Sequence, residues 1–270
     1  MDKNQYIESK SDKIRCRVCG SFIDLDSKYC NYCGNRVIAR SWREILGSAV
    51  VGIIALQALA LIVFPSLLFS LMLIYNPITH QEMYIVTITA LAFLNFFEII
   101  LFFPVYWHFN NLDATLKWTG LACTEKDKIV REIIVGLILG ILLAIFMENI
   151  AVLFLGEVAY SFQIPLEILF LLAISTIIIG FSEEILFRGF IQQSLDIKFD
   201  NKILAIIIAS IIFGLAHLRW PTILITATLG VIIGILYELF ERRLFAPITL
   251  HAVYDFMIFA YPLFNYLFFH

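Results

Sequence analysis

Gly180-Phe181-Ser182-Glu183-Glu184-Ile185-Leu186-Phe187-Arg188-Gly189 lies inside an apolar run covering about residues 165–192. Crossing a bilayer takes roughly 20 apolar residues, so this run is long enough to span one. Glu183, Glu184 and Arg188 place three formal charges in it. Left unpaired at midplane they would cost on the order of 8–10 kcal/mol, at about 2.5–3.5 each. Something must compensate them. Glu184 and Arg188 stand at i and i+4 with the acid on the N-terminal side, the favoured order for a helical ion pair. That pairing leaves Glu183 rotated about 100° around the helix. A single carboxylate is then directed into a helix bundle or a water-filled pocket, as a general base requires.

The rest of the chain supports a membrane setting. Its 270 residues are 61% hydrophobic and 15% charged, with mean hydropathy +0.89. A soluble domain runs at about 45–50% apolar and about 25% charged. The excess cannot be hidden in a core of this size, which excludes an ordinary soluble fold. Seven apolar spans are expected, at about residues 45–75, 83–106, 131–155, 165–192, 203–218, 221–240 and 246–268. The first is overlong, and Pro65 is expected to kink it. The predicted fold is therefore an all-α polytopic membrane protein with about seven transmembrane helices, preceded by a small N-terminal zinc ribbon.

Loop charge sets the expected orientation. Lys117, Lys126, Lys128, Lys198, Lys202, Arg242 and Arg243 fall in segments 107–130, 193–202 and 241–245, whereas 76–82 and 156–164 carry no Lys or Arg. The positive-inside bias puts the N-terminus in the cytoplasm and the C-terminus outside, in a multi-pass cell-membrane protein. Trp42, Trp107 and Trp220 fall at span ends, where interfacial anchors belong.

Residues 1–43 hold Lys3, Lys10, Lys13, Arg15, Arg17, Lys28, Arg36, Arg40 and Arg43. This basic head reads as a juxtamembrane anchor at the lipid surface, in preference to a nucleic-acid surface. It contains two C-x-x-C-G knuckles, Cys16-Arg17-Val18-Cys19-Gly20 and Cys30-Asn31-Tyr32-Cys33-Gly34. Two such turns offer four thiolates to one tetrahedral Zn²⁺, the pattern of a zinc ribbon over about 14–38. A closed four-cysteine site has no open position for substrate, so the zinc is structural. The first forty residues show no apolar signal segment, so the cysteines are expected as reduced thiols.

Further polar groups recur in the later spans. The fifth contains Phe213-Gly214-Leu215-Ala216-His217, and the seventh contains His251-Ala252-Val253-Tyr254-Asp255. Spans four and five form an antiparallel hairpin turning near Asp200. Glu183 and His217 each lie 17 residues from it, which puts them at one depth. His251 and Asp255, at i and i+4, share a helix face. Asn95, Glu98, Glu148, Asn149 and Glu238 read as interhelical hydrogen bonders or interfacial groups. The polar stretch Gln192–Lys202 is expected to project into the cytoplasm.

In that order, Glu183-Glu184…Arg188, Phe213…His217 and His251…Asp255 resemble the motifs of the CAAX-protease and bacteriocin-processing family. The resemblance covers about residues 130–268 and implies a peptidase core at 131–268, with two accessory helices at 45–106. It implies peptide-bond hydrolysis in the membrane, acting on membrane-associated proteins or peptides. Glu183 with His217 would activate water. His251, assisted by Asp255, would stabilise the oxyanion. Glu184 and Arg188 would hold the helix. The family often has Asn where this chain has Asp255, and an ionised Asp cannot donate a hydrogen bond. In a close variant, Glu183, His217, His251 and Asp255 ligate a catalytic zinc and Glu184 is the base. The rivals are a non-catalytic scaffold or sensor, including bacteriocin immunity, whose zinc ribbon docks a cytoplasmic protein, and an ion-coupled transporter.

Overall fold

The computed structural model describes residues 13–15, 21–24, 30, 32, 42–76, 79–109, 112–122, 125–155, 163–217, 222–261 and 263. In the head, β1 (Lys13–Arg15) pairs antiparallel with β2 (Phe22–Asp24), Ile14 opposite Ile23. Cys30 is buried, whereas Cys16, Cys19 and Cys33 lie outside the described residues.

The other regular elements among the described residues are helices. α1 (Trp42–Tyr75) runs through Pro65. α2 (His80–Asn95) starts at a capping box: Thr79 accepts from the Glu82 backbone N–H while Glu82 accepts from the Thr79 N–H. The same rod tightens into a 3-10 stretch over Phe96–Leu101 and continues as α3 (Phe102–Phe109); α4 (Leu112–Thr119) and α5 (Lys126–Leu155) come next in the chain. α6 (Leu166–Glu184) widens into π-type i→i+5 turns over Ile185–Gln192 before α7 (Gln193–Phe199). Asp200, at φ 48°, makes the turn, and Asn201 caps α8 (Lys202–Ala216) by accepting from the Leu204 N–H. α9 (Thr222–Leu239) and α10 (Phe245–Phe259) complete the bundle. The hairpin expected about Asp200 is present.

This is an all-α, multi-pass membrane fold. Among the described residues, four helices are long and apolar enough to cross a bilayer: His80–Leu101, Lys126–Met147, Leu166–Phe199 and Thr222–Leu239. Shorter apolar helices, Leu61–Tyr75, Lys202–Ala216 and Phe245–Phe259, stand at the other three expected places. The 15 residues of α8 or of α10 rise only about 22 Å, against a hydrocarbon core of about 30 Å. Side chains such as Leu61, Ile62 and Leu73 are exposed, as a lipid-facing surface demands.

One expectation is corrected. Gln192, Gln193 and Ser194 do not project into water but are buried. Gln192 Nε2 donates to the Gly234 carbonyl, and Gln193 Nε2 donates to the Trp118 carbonyl and to Tyr237 Oη. Protein carbonyls have taken the place of water around these amides.

Glycines determine how the core helices approach. On α5, Gly136 and Gly140 form a G-x-x-x-G face, the small-residue seam that lets membrane helices touch. A Cβ on Gly136 would stand 2.6 Å from the Ala246 carbonyl oxygen of α10, and one on Gly140 would stand 2.8 Å from that of Leu250. On α6, a Cβ at Gly180 would meet the Ile248 carbonyl at 2.9 Å. α10 is thus laid into glycine grooves on two neighbours. That seating carries His251 to the acidic end of α6.

Candidate active site

Glu184 is completely buried, as is Arg188, and their ion pair spans 3.0 Å (Arg188 Nη1 to Glu184 Oε1). The pairing expected from helical spacing is present. Arg188 also donates through Nη2 to the Gly230 carbonyl at 3.2 Å. Its guanidinium carbon lies 4.5 Å from the Phe213 ring centroid, a cation–π contact. Phe213 further meets the His217 ring edge-on at 5.1 Å and the His251 ring at 5.6 Å. One aromatic ring therefore fixes three charged or titratable side chains from three helices.

His251 has more partners than sequence spacing suggests. Its Nδ1 lies 2.7 Å from Glu184 Oε1, so it donates to the same oxygen that Arg188 holds. Its Nε2 lies 3.5 Å from Asp255 Oδ2 and 3.6 Å from Glu183 Oε2. His217 caps the end of α8, with Nδ1 3.0 Å from the Phe213 carbonyl. A carbonyl only accepts, so Nδ1 carries the hydrogen and Nε2 of the neutral ring keeps a lone pair. Glu183 is buried, and its Oε2 has no hydrogen-bond partner among the described residues.

Glu183 and His217 line one cavity of about 190 Å³, together with Gln57, Glu98, Leu101 and Phe187. Several waters fit, at about 30 Å³ each in the liquid. The cavity brings Glu183 and His217 together as the equal-depth argument expects. His251 and Asp255 are not among its lining residues, and neither are Glu184 and Arg188. Gln57 on α1, which sequence reasoning did not single out, and Glu98 on the 3-10 stretch, which it read as an interhelical or interfacial group, both line the cavity. The signal for Glu98 was available: an acid in an apolar span with no basic residue one helical turn away. Among the described residues, no three His, Cys, Asp or Glu side chains could hold a metal ion.

A charged turn outside the membrane spans fixes the entry to α10. Glu241 and Arg242 are non-glycine residues at φ 55° and 65°, held by the Arg242 N–H to Tyr237 carbonyl bond of 2.8 Å. Arg242 pairs with Glu238 and Asp196, and Arg243 with Glu132 and Glu241. Burial disfavours the Arg242 cation, but these acids outweigh it and hold its pKa above the ordinary value. A hydrogen bond from Arg243 lowers the pKa of Glu241. The bland interfacial reading of Glu238 agrees with its pairing.

Residues 165–257 match the family described as Type II CAAX prenyl endopeptidase Rce1-like, a protease family. The matched segment runs from the start of α6 into α10 and contains Glu183, Glu184, Arg188, His217, His251 and Asp255. The chain is also similar to an uncharacterized protein, YpbD, of Bacillus subtilis (strain 168), at 32% identity over 84 residues. The aligned part is 30% of this chain and 39% of that relative's length. No solved structure matches.

Proposed function

We propose that this chain is an intramembrane endopeptidase of the CAAX-processing type, cleaving membrane-associated proteins or peptides with activated water. The observation that carries the reading is the cavity among apolar helices. It is lined by Glu183, with a carboxylate oxygen that has no hydrogen-bond partner among the described residues, and by His217, whose Nε2 lone pair is free of the backbone.

In the proposed reaction Glu183 takes a proton from a water whose other hydrogen is oriented by His217 Nε2, and the oxygen attacks the scissile carbonyl carbon. His251 Nε2–H, 3.6 Å from Glu183 Oε2, faces carboxylates before reaction. Once Glu183 is neutral it competes less for that hydrogen, which then serves the oxyanion formed beside it. Asp255 keeps the His251 ring in register from one turn along α10, and Glu184 fixes its other nitrogen. Arg188 neutralises Glu184. No step runs through a metal.

The seven-span topology with a cytoplasmic N-terminus belongs to this proposal, as does the structural zinc ribbon. Support for the ribbon is the β1–β2 hairpin, between whose strands Cys16 and Cys19 fall in sequence, and the burial of Cys30. Glu183→Gln and His217→Ala should each abolish cleavage of a prenylated CAAX peptide by the full-length chain in proteoliposomes, with insertion and folding unchanged. Their double variant should be no worse than either single, because residues acting as a unit are non-additive. Full cleavage by either single variant would refute these roles, and a biological effect kept by both variants in the native host would point to a scaffold or sensor.

A further inference from the structure

Amide hydrolysis needs a proton at two places. The attacking water must lose one, and the departing amine nitrogen must gain one, because an amide anion is too basic to leave. Glu183 serves the first need in the reaction proposed above. The cavity has a second carboxyl group, Glu98, on a helix that contributes nothing to the matched segment 165–257.

Its position follows from local geometry. Glu98 and Leu101 lie three residues apart on the 3-10 stretch Phe96–Leu101. In a 3-10 helix, i and i+3 eclipse one another, whereas in an α-helix they diverge by about 60°. Both residues line the cavity. Phe187, which also lines the cavity, belongs to the π-type stretch that follows Glu184. Two departures from α geometry, on two different helices, therefore face the same space. Mid-helix 3-10 segments and π-bulges concentrate at functional positions.

The chemistry around Glu98 differs from that around Glu183. Glu183 stands 3.6 Å from an imidazole nitrogen. Glu98 forms no ion pair among the described residues, and its Oε2 is buried with no hydrogen-bond partner there. An acid in an apolar span without a cation is costly unless it faces a cavity and has work to do there. The α1 wall reinforces the arrangement: Gln57 Nε2 donates to the Ala216 carbonyl, next to His217, at 2.5 Å.

We infer that Glu98 is a further catalytic residue, the general acid that protonates the leaving amine. The inference rests on the hydrolase reading. Glu183 accepts a proton as the water oxygen bonds to the carbonyl carbon, and the C=O π pair moves onto oxygen. When that pair returns, the C–N bond breaks. Its electrons go to nitrogen, which takes the Glu98 proton. The products are a carboxylic acid and an amine, and the proton held by Glu183 returns to Glu98 through the cavity. The helices read as accessory thus complete the active site.

The test compares two probes on the full-length chain in proteoliposomes: a prenylated CAAX peptide with its ordinary scissile amide, and the same peptide with a thioester there. A thiolate leaves without protonation. Glu98→Gln, nearly isosteric, should lose roughly 100-fold or more in kcat on the amide, yet stay within about threefold of the wild type on the thioester. Glu183→Gln should fail on both. The amide pH–rate profile of Glu98→Gln should also lose the limb on which rate falls as a proton is lost at high pH. Equal losses on amide and thioester would mean a structural role and overturn the inference. Wild-type amide cleavage by Glu98→Gln, with Glu183→Gln inactive, would overturn it alone. No cleavage of either probe by the wild type would remove the hydrolase reading and the inference together.

Discussion

Glu183 and Glu184 are neighbours in sequence, yet their replacement by Gln should have opposite signatures. Glu184 Oε1 accepts from Arg188 Nη1 at 3.0 Å and from His251 Nδ1 at 2.7 Å, and both members of the ion pair are buried. Gln keeps an acceptor oxygen but loses the charge. Hydrogen bonds to charged groups contribute roughly 1.5–3 kcal/mol, against about 0.5–1.5 for neutral ones, so two bonds weakened this way cost about 2–3 kcal/mol. Breaking a buried pair outright costs about 3–5 kcal/mol because the surviving charge is uncompensated. A loss of about 3 kcal/mol is expected. At roughly 2–4 °C per kcal/mol for a chain near this size, Tm should fall by about 6–12 °C. Glu183 Oε2 has no hydrogen bond to lose among the described residues, and Glu183 lines a cavity, so Glu183→Gln should change Tm by no more than about 2 °C. The assay is tryptophan-monitored thermal unfolding in one detergent, beside peptide cleavage. Glu183→Gln should be stable and dead, and Glu184→Gln destabilised as well as impaired. Equal shifts, or a larger one for Glu183→Gln, would refute the assignment of structural and chemical roles.

Three other expectations are open to direct measurement. The purified full-length chain should contain about one equivalent of zinc by elemental analysis, and Cys30→Ser should lower that content without disturbing the membrane helices. Gly136→Leu would drive a side chain into the Ala246 carbonyl, 2.6 Å from the position of a Cβ; overpacking typically costs about 1–3 kcal/mol, and the resulting shift of α10 should depress cleavage as well as Tm. Because the Glu241 pKa is depressed by Arg243, its contribution is present above the unfolded value and lost as pH falls through the folded one. Melting curves below the usual carboxylate range should therefore fall less steeply with acid in Glu241→Gln than in the wild type.

Much of the site was legible because helical periodicity is a local property. The i, i+4 spacing gave the Glu184–Arg188 pair, and the polar turn at Asp200 gave the hairpin that sets Glu183 beside His217. What periodicity could not reveal was the partner of a polar residue on another helix. Gln192, Gln193 and Ser194 look the same in sequence whether water or protein surrounds them, and only the approach of α9 and α4 supplied carbonyls for the two amides. His251 was paired with Asp255 on its own helix. Its shorter contact to Glu184 exists because Gly180 lets the α10 backbone close on α6. The count of seven spans rested on composition, which cannot distinguish a full crossing from a 15-residue apolar helix.

The place of Glu98 on the cavity wall was hidden for a different reason. The sequence reading located the peptidase in the later helices and read earlier polar residues as structural glue. That division assumes that a site lies within the segment carrying its motifs. A cavity in a helix bundle, however, needs walls on every side, and of the motif helices only α6, with the π-type turns that follow it, and α8 line this one. Gln57 and Glu98 come from α1 and the rod that begins as α2. Whatever lies on those walls faces the same space as Glu183. A short 3-10 segment then decides which side chains face inward, and it leaves no periodic trace in an apolar sequence. The cavity of such a chain is built in part by helices its motifs do not mark, and an acid placed among them is as much a candidate for the proposed chemistry as the acids in the motif.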